Sequence, residues 1–339
     1  MGDDADVPRS PTIYDVAREA GVAASTVSRA FARPGRVNTV TAERVRVAAE
    51  SLGYRVNPLA RALPTGKTSI IALTISDVTN PFYTEIIQGA QSAAAAANFT
   101  MVLADGQESE VLEREALERV IPIVEGLVLA TSRMSDAAIK MTARQKPMVV
   151  LNRSIPELPS LTTDNLSGVR QVVEYLVPLG HRSITYVAGP EASWADGARW
   201  RALVEVGAKL KVAARRIGPF PPTVRGGQEA AIKLSQHLPT AVLAYNDQVA
   251  IGVIKRLAAA GIDVPGRVSV IGFDDIFASS LTTPALTTVA APLRQMGIIA
   301  VRNLLAVIRG AKPIAGTALM VPTHLIERGS AGPARDRKD

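Results

Sequence analysis

Ala24, Ser25, Thr26, Ser28 and Arg29 fall within six positions of the stretch "ASTVSRAF", and none of the hydroxyls fills an obvious core. A helix that carries small side chains can approach the wall of a groove closely. From there an arginine can present a two-pronged donor to guanine, while serine and threonine hydroxyls can bond bases or phosphates. The same residues could instead merely cap and solvate a small three-helix domain. A second group of polar residues follows apolar runs: Asp77, Asn80 and Phe82, then Asn152, then Asn246 and Asp247, then Asp274 and Asp275. Asparagine and aspartate offer acceptors to ligand hydroxyls, which suits a neutral polyol, sugar or nucleoside. Each could equally cap the helix that comes next.

The first group needs helices to hold it. Thr12 with Asp15 three residues on reads as a helix start, and Ile13, Val16, Ala17 and Ala20 recur at helical steps up to Gly21. Val22 to Phe31 gives a second short helix, and Thr41 to Leu52 a third that Gly53 ends. Asn57 and Pro58 then open a run of two turns or less that stops at Pro64, too short to be stable alone in water. The second group sits on alternating strands and helices from "TSIIALTIS" to "VSVIGFD", a pattern that predicts parallel sheets covered on both faces. Two such α/β lobes place a ligand cleft outside the carboxyl ends of their strands.

Composition narrows the chemistry. The 339 residues include no cysteine, and the three histidines, His181, His237 and His324, form no local metal motif, so no metal and no cofactor are expected. Asp274 and Asp275 are adjacent carboxylates and His181 could be imagined as a base, yet no nucleophile, base and orienting group come together, and a non-enzyme is expected. No glycine–lysine phosphate loop and no dinucleotide fingerprint is present. From Arg9 to Lys67 ten basic residues face four acids, so this stretch carries a formal net charge of +6. An export signal, which a free-standing solute-binding protein would need, is missing from the first residues, and no apolar run reaches membrane-spanning length; the expectation is a cytoplasmic protein.

"TIYDVAREAGVAASTVSRAF", then "RVNPLARAL", then "NDQVAIG" and "VSVIGFDDIFAS" resemble, in that order, the lactose-repressor (LacI/GalR) family of bacterial regulators, from about Thr12 to His324. The resemblance implies an α/β chain: an N-terminal three-helix helix-turn-helix DNA-binding domain plus hinge helix, followed by a two-lobed periplasmic-binding-protein-like domain. The expected divisions are a tail over 1–11, the DNA-binding domain over 12–56, the hinge and linker over 57–67, and the effector-binding and dimerisation domain over 68–324. Its first lobe would take 68–161 and 291–322, its second 162–290, with a polar tail over 325–339 that lacks the heptads of a tetramer-forming coil.

By the same resemblance Ala24 and Ser25 choose operator bases, Arg29 contacts a base farther along, and Thr12, Tyr14, Ser28 and Thr41 touch phosphate or anchor helices. Ala23 stands where the family often has a serine cap. Leu63 would wedge between central base pairs, with Asn57 and Arg61 against the backbone or groove edge. Arg199, Asn246 and Asp274 are implied as the effector triad, Asn152 as a further polar contact, Phe82 as an aromatic wall, and Leu293 and Met296 as apolar lining. Asp77, Phe220 and Trp194 complete the expected set, with Trp194 over the cleft mouth and Trp200 a packing residue. The implied partners are a near-palindromic double-stranded DNA operator, a second copy of the chain, and a sugar-like effector that releases the operator. Some relatives instead need a corepressor, such as a nucleoside, purine or phosphorylated metabolite.

Overall fold

The computed structural model describes residues 10–32, 35–55, 67–311 and 318–335. Two compact units part at Ser69. In the first, α1 (Ile13–Glu19), α2 (Ala24–Ala32) and α3 (Thr39–Ser51) enclose Val16, Ala17, Ala20, Val27, Val45, Ala48 and Ala49. Gly21 turns the chain between α1 and α2 at φ +61°, a left-handed conformation that a side chain would strain. Helix α3 starts two residues earlier than its apolar pattern suggests because the Asn38 side chain accepts from the Val40 amide at 2.9 Å. A cap of that kind contributes about 1 kcal/mol.

The second unit holds two parallel sheets. In chain order the first lobe is built from β1 (Ile70–Ile75), α4 (Phe82–Ala96), β2 (Thr100–Asp105), α5 (Glu110–Val120), β3 (Gly126–Ala130), α6 (Asp136–Ala143), β4 (Met148–Leu151) and β5 (Ser160–Thr163). The second lobe follows with α7 (Asn165–Leu176), β6 (Ser183–Val187), α8 (Trp194–Leu210), β7 (Ala213–Ile217), α9 (Val224–Gln236), β8 (Ala241–Ala244), α10 (Asp247–Ala259), β9 (Ser269–Asp274) and β10 (Thr287–Ala290). The chain then returns through α11 (Leu293–Ile308) and β11 (Leu319–Val321) and crosses once more into β12 (His324–Ile326). Strand order is β11-β5-β4-β3-β1-β2 in one sheet and β12-β10-β9-β8-β6-β7 in the other. Every pairing is parallel except β10 with β12.

Strands such as "GLVLA" and "AVLA" are buried along their whole length, as a sheet covered on both faces requires. Helix α11 completes the first lobe by lying against α4. The approach is close enough that a β-carbon at Gly89 would collide with the Arg294 carbonyl, and one at Gly297 with the Ile86 carbonyl. The first crossing falls slightly later than the expected 161, because β5 pairs with β4 and β11 as far as Thr163.

Over 325–335, the described part of the expected polar tail, the structure shows an edge strand and a bonded segment. His324–Ile326 adds an antiparallel edge strand to the second lobe, and the residues after it are pinned beneath. Ser330 is fully buried; its hydroxyl accepts from the Thr287 amide at 2.8 Å and donates to the Val270 carbonyl at 2.6 Å. His181 donates from Nε2 to the Gly332 carbonyl and accepts at Nδ1 from Thr240, each at 3.0 Å. Burial lowers the pKa of this ring, in keeping with a neutral clasp rather than a base. Composition hides such a segment because backbone and hydroxyl bonds, not apolar periodicity, hold it in place.

Candidate nucleic-acid interface and ligand cleft

In the first unit the Asp15 carboxylate accepts from the Thr12 amide at 2.9 Å and from the Thr12 hydroxyl at 2.6 Å, which fixes the start of α1. Tyr14 is 70% exposed beside it. Helix α2 turns Ser25, Ser28 and Arg29 to solvent, while Ala24 and Thr26 are half-buried and Ala24 packs on the three-helix core. Where a serine would cap, Ala23 offers only its carbonyl, which accepts from the Thr26 and Val27 amides. The Arg29 guanidinium does not stand free. Its Nε donates to the Ser25 carbonyl at 3.0 Å and its Nη2 to the Ser25 hydroxyl at 3.3 Å, so the two side chains form one donor-rich ridge. Thr41 is half-buried in the first turn of α3, and Arg44 from the same helix reaches back to the Ala20 carbonyl. Asn57, Arg61 and Leu63 lie outside the described residues.

In the second unit, strand ends from both lobes converge on one pocket. Its walls include Asn80, Phe82, Asn152, Arg199, Asn246 and Asp274, together with Tyr83, Glu108, Thr131, Arg133, Ala195, Pro222 and Tyr245. The Arg199 side chain is buried on α8, donating from Nε to Asn165 at 3.0 Å, from Nη2 to Asp274 at 3.3 Å and from Nη1 to the Tyr245 carbonyl. Its Cζ lies over the Phe273 ring, 3.6 Å from the ring centre. Three of the five guanidinium protons are used by the protein, leaving two for a ligand.

Asn246 caps α10, accepting from the Val249 amide at 2.9 Å, and donates to the Pro222 carbonyl at 3.2 Å. The Asn152 side-chain oxygen is buried with no partner among the described residues, an acceptor left for something in the pocket. Burial pushes the Asp274 carboxyl pKa up, against the opposing pull of Arg199. A buried pair of this kind adds little stability and much orientation. Thr131, Asn152, Asp274 and Asp275 all have positive φ, so the strand ends at the cleft carry backbone strain.

Several expected contacts are not brought together here. Met296 is fully buried and Leu293 nearly so, both within the core that includes α4 and α11. Phe220 packs on that apolar cluster as well. The Asp77 carboxylate is used by Thr79, whose amide and hydroxyl donate to it at 2.8 and 2.7 Å. Asp247 serves structure: Ile276, Ser279 and Thr288 donate to it, and burial raises its pKa to about 6. Trp194 lines a neighbouring cavity between the lobes, and Trp200 stacks on Tyr186 with ring centres 6.1 Å apart. Sequence reasoning passed over Thr131, Arg133 and Tyr245. Thr131 and Tyr245 follow strands directly, which is the signal that singled out Asn152, whereas Arg133 stands three residues past β3.

Residues 12–57 match the family model described as bacterial regulatory proteins, lacI family, and residues 173–331 match a periplasmic binding protein-like domain. The HTH-type transcriptional repressor CytR of Escherichia coli K12 is 33% identical over 334 residues, covering 94% of this chain and 96% of that protein. The chain belongs to the lacI family. Catabolite control protein A of Priestia megaterium, another similar protein, is 32% identical over 86% of the chain and 91% of its own length. Among solved structures, the lac repressor dimer bound to operator and the anti-inducer ONPF superposes with a TM-score of 0.84 at 27% identity, covering 95% of this chain and 99% of that one. The regulator CelR in complex with cellobiose gives 0.71 at 28%, with 95% and 100% covered. As a lacI-family member the chain is a DNA-binding transcriptional regulator and not an enzyme. No described helix is long and apolar enough to cross a membrane.

Proposed function

We propose that this regulator represses carbohydrate or related catabolic genes and leaves its operator when a small sugar-like effector enters the cleft. The observation that carries the reading is the convergence of Arg199, Asn246, Asp274 and the unsatisfied Asn152 oxygen on one pocket between two lobes. Directional donors and acceptors of that kind suit a ring of hydroxyls. The lac repressor structure it resembles is a dimer on operator DNA, and CelR is a complex with cellobiose. The first supports a homodimer on a near-palindromic site, with one recognition helix per half-site, and the second a sugar in the cleft.

In this reading Ser25 and Arg29 read base edges, with Ala24 against the groove. Thr26, Ser28, Tyr14, Thr12 and Thr41 hold phosphates or the helices that face them. Leu63 wedges the central step, flanked by Asn57 and Arg61. Occupancy of the cleft favours one lobe arrangement and so changes the affinity for DNA. A thermal-shift screen of sugars on wild type and Arg199→Ala tests the pocket. A stabilising sugar that acts equally on both proteins removes Arg199 from the site.

A further inference from the structure

Beside the pocket lies a second cavity of about 410 Å³, also walled by both lobes, and Arg133 belongs to both walls. Its donors outnumber its acceptors. Arg133 is anchored, bonded to Glu108 at 2.7 Å and to the Thr131 carbonyl at 3.1 Å. Arg153 spends its terminal nitrogens on the Met134 carbonyl and on Asp136, while its buried Nε has no partner among the described residues. Arg201 has no partner there either, and its guanidinium lies over Gly197, where a β-carbon would come within 3.1 Å of Nη1. Of the two lining carboxylates, Glu110 is held by Arg114 at 2.7 Å, and Glu191 has no ion-pair partner among the described residues. Helix α8 opens into the cavity at Trp194, adding the positive end of its dipole.

We infer that this outer chamber takes an anionic group, a carboxylate or a phosphate, carried by the same effector whose hydroxyl-bearing part the inner pocket holds. The inference rests on the effector reading above and narrows it to a polyhydroxylated anion. Arg201 and the Nε of Arg153 are the binding groups, and Arg133, common to both walls, lets one molecule span them.

Trp194 lines the chamber, and the chain has only two tryptophans, so Trp200→Phe leaves a local fluorescent reporter. The full-length Trp200→Phe protein is titrated with inorganic phosphate and with malonate at constant ionic strength, with chloride as control. If that protein fails to fold, the difference between wild type and Trp194→Phe isolates the same signal. Expected is a saturable change in Trp194 emission with phosphate or malonate, weakened about tenfold or more by Arg201→Gln, as loss of a charge-assisted bond implies. The stronger of the two anions names the group. The anion titration is run without any sugar, so a failed sugar screen on the inner pocket leaves its outcome standing. The inference is overturned if neither anion gives a saturable change, or if Arg201→Gln and Arg153→Gln both bind as tightly as their parent.

Discussion

At the scale of single residues, Arg199 has the most to do and the least freedom, since three protein partners and a ring face fix its fork before any ligand arrives. Removing it should cost at least tenfold in effector affinity, about 1.4 kcal/mol, because a preorganised charged donor is lost. Calorimetric titration with a sugar found by thermal shift measures this, while circular dichroism checks that the fold survives. Asp274 gives a pH prediction. Its folded pKa lies above the ordinary value, so between about pH 4 and that folded value the native state holds a proton that the unfolded chain has released. Native stability therefore falls as pH rises through that window, at up to about 1.4 kcal/mol per pH unit. Asp274→Asn lacks this loss, and its stability relative to wild type should climb from pH 4 toward neutrality in urea titrations. A flat difference would mean that Arg199 keeps the carboxylate charged. Asn246, Asp274 and Asn152 were legible in the sequence as polar groups at strand ends. Met296 and Leu293, expected as apolar lining, belong to the buried cluster of α4 and α11, and an apolar residue lining a pocket and one filling a core look alike in sequence.

Among the elements, the helix pair α4 and α11 holds the returning segment in the first lobe, and it depends on two missing side chains. Gly297→Ala would drive a methyl group into the Ile86 carbonyl, with an expected loss of about 1–3 kcal/mol in denaturant unfolding. The strap after β12 is tested by Ser330→Ala, which strips the Thr287 amide and the Val270 carbonyl of a buried partner. A cost of about 1–3 kcal/mol follows, with the DNA-binding head unaffected. Fully buried strands such as β3 and β8 were readable as continuous apolar runs, whereas β7, "AARRI", and β10, "TTVA", were not. Helix α5 escaped notice because "EVLEREALERV" buries only Glu113 and Leu117 and shows almost no apolar stripe. The strap escaped because a serine hydroxyl and main-chain groups hold it, without apolar periodicity. For the hinge, the proposed wedge predicts that Leu63→Ala weakens operator binding much more than binding to unrelated DNA, and an unchanged ratio in anisotropy titrations would refute it.

For the whole molecule, the sequence order of motifs was enough to recognise a head that grips DNA and a two-lobed body that senses a small molecule. The closure of the cleft was not, because residues from 80 to 274 meet there only through the crossings between lobes. The central claim is that occupancy of that cleft and grip on DNA are linked. The direct measurement is the affinity of the full-length protein for a near-palindromic fragment selected from the host genome, with and without a saturating sugar that stabilises the wild type but not Arg199→Ala. The expected result is a weakening of at least tenfold, about 1.4 kcal/mol of coupling, absent in Arg199→Ala. Equal affinity with and without the sugar in the wild type would contradict it.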